Sequence, residues 1–298
     1  MTTTDPSPPP PENRTLDAPG ATIAYDVHRD LADATPDRPV LVVVGSPMGA
    51  QGFTTLAGLL SDRPVVTYDP RGVGRSPQSH GPAETSPDDH ADDIRRVIEA
   101  LDSGPVDLFA TSGGAVNGLA LVTAHPELVR TLVAHEPPLA AYLPDRDTVL
   151  AANRDLAETY QRSGSGPAMA TFIRLVMAEG PLPDDYLDQP APDPAMFGLP
   201  TEDDGARDDA LLWKNNRTCV PYVPDLDAIR AASTRTVVAA GEESARQLAA
   251  RSAAGLAEAL GVQLTMFPSD HAGFAGGEYG QRGKPEEFAA RLREVLDA

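Results

Sequence analysis

Short runs of small and β-branched residues recur along the chain, among them "RPVLVVVGSP", "RPVVTYD", "PVDLFATS", "VRTLVAHEPP" and "TRTVVAAG". Stretches with a helical period separate most of them. A run such as Val40 to Val44 is apolar without alternating, so both of its faces must be buried. Only a sheet covered on both sides does that, and strands alternating with helices make the sheet mostly parallel. The fold class is therefore α/β, a mostly parallel central sheet flanked by helices.

The flanking elements follow the same logic. "ATIAYDVHR" is an early strand and "VQLTMFPSDH" the last one, while "FTTLAGLLSD" and "KPEEFAARLREVLDA" are predicted helices. Ser86 with Asp89 three positions on marks a helix start, and Ala91, Ile94, Ile98 and Leu101 supply its apolar stripe. Between about Pro138 and Ala231 the strand signal disappears. Met169, Phe172, Ile173 and Val176 there form one helical stripe, and a proline- and aspartate-rich stretch follows. A segment of that size inserted before the last two strands is predicted to be a helical cap, since long insertions in compact domains are commonly lids. The expected organisation is a disordered tail over 1–13, a core from 14–137 and 232–298, and a cap over 138–231. Proline and polar residues in "MTTTDPSPPPPEN" leave the tail little apolar surface to bury.

Composition excludes several function classes. A formal charge of −20 repels nucleic acid and anionic membrane surfaces. No apolar run reaches the roughly 18 residues of a membrane span, and the amino terminus lacks the basic and apolar regions of a signal peptide, so a cytoplasmic protein is expected. The single cysteine, Cys219, cannot form an internal disulfide, and the six scattered histidines lack metal-ligand spacing. No metal and no cofactor are expected.

The chemistry concentrates at "DLFATSGGAVNGLA". Ser112 stands between a strand and a helix with Ala110 and Gly114 two residues to either side, close to the G-x-S-x-G turn that forces a serine into a strained, exposed position. A serine hydroxyl needs a base to attack, and among the histidines His271 stands at the end of the last strand, where the sheet's carboxyl edge would bring it to Ser112.

With these features the chain resembles the cap-bearing serine hydrolases of the α/β-hydrolase fold. "YDPRGVGRSP" is similar to that family's D-x-R-G-x-G-x-S loop. There Asp69 and Arg71 are expected to pair across a turn that Gly72 and Gly74 make possible. The resemblance implies an oxyanion hole from the N–H of Gly113 and a second N–H in "VGSP". Ser46 is the expected donor, whereas a register shifted by one would place Pro47, which has no N–H, at that position. Two acids are open. The family's usual position after the penultimate strand holds Ser244, with Glu243 one residue before it, and the alternative position after the strand "VRTLVAH" holds Glu136, the preferred candidate.

The implied activity is hydrolysis of a small-molecule ester, lactone, thioester or amide through an acyl-enzyme on Ser112. Acyl transfer, carbon–carbon bond hydrolysis and small-molecule binding without turnover are the alternatives. Phe172, Met177, Trp213 and Tyr222 are candidate walls of the substrate site.

Overall fold

A computed structural model describes residues 10–79 and 85–298; residues 1–9 of the expected tail, and His80, lie outside the described residues. Among the described residues eight strands form one sheet: β1 Glu12–Ala18, β2 Ala21–His28, β3 Leu41–Val44, β4 Val65–Tyr68, β5 Val106–Thr111, β6 Val129–His135, β7 Arg235–Gly241 and β8 Thr265–Phe267. Their order across the sheet is β1-β2-β4-β3-β5-β6-β7-β8. All pairs from β4 to β8 are parallel, while β2 runs antiparallel to both β4 and β1.

The tail expected over 1–13 is corrected at its end, because Glu12 and Asn13 open β1 and pair with Val27 and Asp26. An edge strand needs only one apolar face, and here Leu16 and Ala18 suffice to pack it on the core.

Helices α1 Thr54–Leu59, α2 Pro87–Leu101 and α3 Gly113–Ala124 connect the first strands. After β6 come α4 Arg146–Ser163, α5 Ser165–Val176, a π-helical turn Ala210–Asn215, α6 Asn216–Cys219 and α7 Leu226–Ala231; α8 Leu248–Leu260 joins β7 to β8, and α9 Pro285–Leu296 follows β8. Every residue of β3, β4 and β5 is buried. Successive side chains point to opposite faces. Leu108 and Ala110 belong to one buried cluster with α2, α3 and α8 residues such as Ile94, Val116 and Leu256, whereas Phe109 packs against Phe274 and Phe288 in a second cluster on the other side. Each fully buried side chain of this kind contributes about 1.5–3 kcal/mol.

The start of α2 holds both halves of its cap: Asp89 N–H donates to Ser86 Oγ at 3.1 Å, and Ser86 N–H donates to Asp89 Oδ2 at 2.9 Å.

The loop after β4 departs from expectation. Asp69 does not pair with Arg71. It accepts from Arg75 Nε at 2.8 Å, Arg75 N–H at 3.0 Å and Ala50 N–H at 2.8 Å, while Arg71 reaches both oxygens of Asp93 on α2 at 2.6 Å. Gly72 and Gly74, with φ of 75° and 54°, fold the chain back so that Arg75 rather than Arg71 covers the aspartate. A Cβ on Gly74 would stand 2.8 Å from Asp69 Oδ2, so only glycine leaves room for that fold.

The segment between β6 and β7 carries its own apolar clusters. Val149 and Ala152 of α4 pack with Leu175, Tyr186 and Val220, and Leu156 and Tyr160 pack with Ala168 and Leu212. Ile229 of α7 instead joins the main core. Among the described residues no helix is long and apolar enough to cross a membrane.

Candidate active site

Ser112 is the single residue between β5 and α3, with φ 57° and ψ −130°. Positive φ in a side chain other than glycine is strained and needs surrounding structure to hold it. The glycines after it supply that closeness. A Cβ on Gly114 would meet Val44 O at 2.5 Å, and one on Gly113 would meet Ser46 O at 2.6 Å, so the helix rests directly on the chain leaving β3. Ala110 carries a methyl where the motif has glycine, and Gly118 one turn along α3 makes the space: its own Cβ would stand 3.2 Å from that of Ala110.

Sheet register sets the neighbours. Thr111 pairs with His135, Ser112 N–H donates to His135 O at 2.9 Å, and Glu136 follows at the end of β6 with φ 50°. The Glu136 side chain is 1% exposed. Its Oε2 lies 2.5 Å from His271 Nδ1, and its Oε1 accepts from Gly241 N–H at 2.8 Å and from Ser244 Oγ at 2.5 Å. Burial pushes this carboxyl up, but the adjacent His271 imidazole and its hydrogen bond, His135 and the Ser244 hydroxyl together hold it down at about 2. Burial works against a proton on His271, and the Glu136 carboxylate outweighs it, so the imidazole holds its proton more tightly than usual. The His271 side chain remains 40% exposed. Among the hydrogen bonds of the described residues none joins Ser112 to His271; contacts of this kind are often long until substrate is present.

Glu243 is not part of this cluster. Its side chain is 53% exposed and takes Lys284 Nζ at 2.7 Å. The neighbouring Ser244 turns inward instead, and its hydroxyl donates to the carboxylate that comes from the other strand.

His135, beside Glu136, is fully buried among Phe109, Phe267 and Phe288, with its ring centroid 6.2 Å from that of His271. Its Nδ1 is 3.0 Å from Thr111 Oγ1, and burial pushes the imidazole down to about 4, so it stays neutral. An apolar strand ending in histidine was the only sequence signal for this packing.

On the other side of Ser112, the N–H groups of Ser46 and Gly113 donate to no backbone acceptor among the described residues. Ser46 is buried and its Oγ accepts from Asn215 Nδ2 at 2.7 Å. Sequence reasoning missed Asn215, which arrives from the π-helical turn.

The expected cap residues do not converge. Phe172 and Trp213 pack together against Leu156, Tyr160 and Leu212, and the Arg217 guanidinium lies 4.0 Å from the Trp213 ring centre. Met177 is exposed, and Tyr222 packs on the main core with its hydroxyl donating to Asp88 at 2.9 Å. A groove of about 750 Å³ lies beside β2 and β4, lined by Asp26, His28, Thr67, Arg75 and Tyr279 among others, and includes neither Ser112 nor His271.

Residues 38–224 match the model of the alpha/beta hydrolase fold family. The chain is 27% identical over 291 residues to the uncharacterized hydrolase YraK of Bacillus subtilis, covering 96% of each protein. Among solved structures it is similar to a thermophilic esterase from Thermogutta terrifontis, with a TM-score of 0.63, 20% identity, and 96% of this chain and 98% of the other covered. It is also similar to proline iminopeptidase of Mycobacterium smegmatis, with a TM-score of 0.60, 20% identity, and 96% and 97% covered.

Proposed function

The chain belongs to the α/β-hydrolase fold family, and we propose that it is a serine hydrolase of carboxylic acid derivatives, with Ser112 as nucleophile, His271 as base and Glu136 as acid. The observation that carries this reading is the hydrogen bond between His271 Nδ1 and a buried, ionised Glu136, at the strand edge where Ser112 is held in its strained turn.

The chemistry follows from these groups. Glu136 keeps the proton on Nδ1, which leaves Nε2 to take the Ser112 proton as Oγ attacks the acyl carbon. Charge developing on the carbonyl oxygen meets the N–H groups of Gly113 and Ser46, and one such donor contributes roughly 3 kcal/mol to transition-state binding. His271 passes its proton to the leaving oxygen, sulfur or nitrogen. Water, deprotonated by the same imidazole, then releases the acid and restores Ser112. This route needs no metal or cofactor. A carboxylic ester is the proposed substrate class, because an alkoxide leaving group asks less of the general acid than an amide nitrogen does. The cytoplasm is its proposed location.

A hydrolysis screen over p-nitrophenyl esters of graded acyl length, lactones and amides, with Ser112→Ala as control, tests it. Turnover of at least one ester that Ser112→Ala reduces at least about a thousandfold is expected. Equal turnover by the wild type and Ser112→Ala would refute the nucleophile.

A further inference from the structure

The geometry points to Asn215 as a positioning residue for acyl transfer, through which the inserted helical segment sets the loop that presents the Ser46 N–H. The inference rests on the Ser112 reading above and concerns a residue outside its triad. Asn215 and Ser46 are 169 positions apart, yet their side chains meet at 2.7 Å in a buried contact.

Three observations converge on that contact. First, the Asn215 amide stands at the nucleophile turn itself: a Cβ on Gly113 would lie 2.9 Å from its Oδ1 and 2.6 Å from Ser46 O. Second, Asn215 ends a π-helical turn, a rare geometry found frequently at functional sites. That turn is pinned at its start, where Asp209 Oδ1 accepts from Leu211 and Leu212 N–H at 2.8 Å each and Tyr160 Oη accepts from Asp209 N–H at 3.0 Å. Third, the residues that follow are tied to both sides of the site. Asn153 Nδ2 on α4 donates to Asn216 O at 3.0 Å, and the Cys219 thiol lies 3.8 Å from Gly113 O.

An apolar residue in the same place would hold the segment down equally well. An amide that donates to Ser46 does something more specific. It fixes the side chain of the residue whose backbone N–H faces the reacting oxygen, so the donor direction no longer depends on the loop alone. It also places a neutral dipole, with no charge, beside the position where the oxyanion forms.

The test is steady-state kinetics of the full-length chain with the best p-nitrophenyl ester, with circular dichroism to confirm folding. Asn215→Ala is expected to lower kcat about tenfold with KM within about twofold, a fraction of the 10²–10³ lost when a donor is removed outright. The same-sized Asn215→Asp puts an anion beside the developing oxyanion. It is expected to lower kcat about a hundredfold at pH 8, with the deficit shrinking as pH falls and the carboxylate takes a proton. Ser46→Ala should match Asn215→Ala, and the double variant should be no worse than either single one. A purely structural contact would instead lower the melting temperature, leave kcat unchanged, and make Asn215→Asp no worse than Asn215→Ala at any pH. That outcome overturns the inference. If Asn215→Ala does not fold, Asn215→Asp and Ser46→Ala carry the test from the two sides of the same contact. Ser112→Ala run alongside separates the two claims: a dead Ser112→Ala with normal Asn215 variants sinks only the Asn215 role, whereas an active Ser112→Ala sinks the nucleophile.

Discussion

Replacing Glu136 by glutamine changes one atom, and the surroundings determine which way the new amide must face. Gly241 N–H is a backbone donor aimed at Oε1, and the Ser244 hydroxyl reaches the same oxygen. The glutamine carbonyl must take that side, which turns its NH₂ toward His271 Nδ1, 2.5 Å from the carboxylate in the native chain. His271 can then accept only at Nδ1, so its proton moves to Nε2, the nitrogen that must take the serine proton. A wrong tautomer of this kind lowers kcat by about 10⁴ in a serine triad. With allowance for a ring that can still flip, the expected loss in kcat/KM is about 10³–10⁴, or roughly 4–5.5 kcal/mol of transition-state stabilisation. The residual activity should also rise with pH through a lower midpoint, because the carboxylate that raises the His271 proton affinity is gone. Glu243→Gln is the control. Its exposed pair with Lys284 is screened by solvent and touches none of the triad groups, so kcat/KM should stay within twofold. Ester hydrolysis over a pH range, with melting temperatures for both variants, checks these values. A Glu136→Gln protein that keeps activity within fivefold, beside a Glu243→Gln protein that loses it, would refute the reasoning.

Ser244→Ala should lower kcat about three- to tenfold at constant KM and cost about 2 kcal/mol of stability, because it removes a donor to a buried carboxylate; kinetics and urea melts measure both, and an unchanged kcat would remove Ser244 from the account. Acid sensitivity follows from the neutral buried histidines. His135 and His90 are pushed down by burial to about 4, whereas in the unfolded chain they bind protons near 6.5. As pH falls from 6.5 to 4 the unfolded state gains protons first, so each histidine withdraws up to about 3 kcal/mol of stability, with none withdrawn above that window. The raised proton affinity of His271 acts in the opposite sense, adding stability below pH 6.5. His135→Gln should therefore flatten the loss of urea midpoint between pH 7 and pH 4, and an unchanged slope would contradict the assignment.

The central strands were legible because full burial on both faces leaves an unmistakable apolar run, as in Val40 to Val44 and Leu108 to Ala110. β1 was not, since an edge strand with polar residues at Asn13, Arg14 and Asp17 reads like the tail before it. Helix α8 passed unnoticed because an alanine-rich period carries weak contrast. At the site, Ser112 and His271 could be placed from strand ends alone. The sequence favoured Glu136 but left Glu243 open, because the direction of each side chain depends on backbone geometry: Glu136 has φ 50° and is buried, while Glu243 is exposed beside Lys284. The Asp69 and Arg71 pairing failed for the same reason, as two positive-φ glycines reversed the loop. Asn215 sits in the polar run "WKNN", and nothing local signals a contact formed across most of the chain.

The central claim is a nucleophilic Ser112. Intact-protein mass spectrometry after treatment with a p-nitrophenyl phosphonate, followed by peptide mapping, measures it directly. The account predicts one adduct per chain, on the peptide containing Ser112, absent in Ser112→Ala and slowed in Glu136→Gln. A folded, ester-hydrolysing protein that gains no adduct, or carries it on another residue, would contradict it.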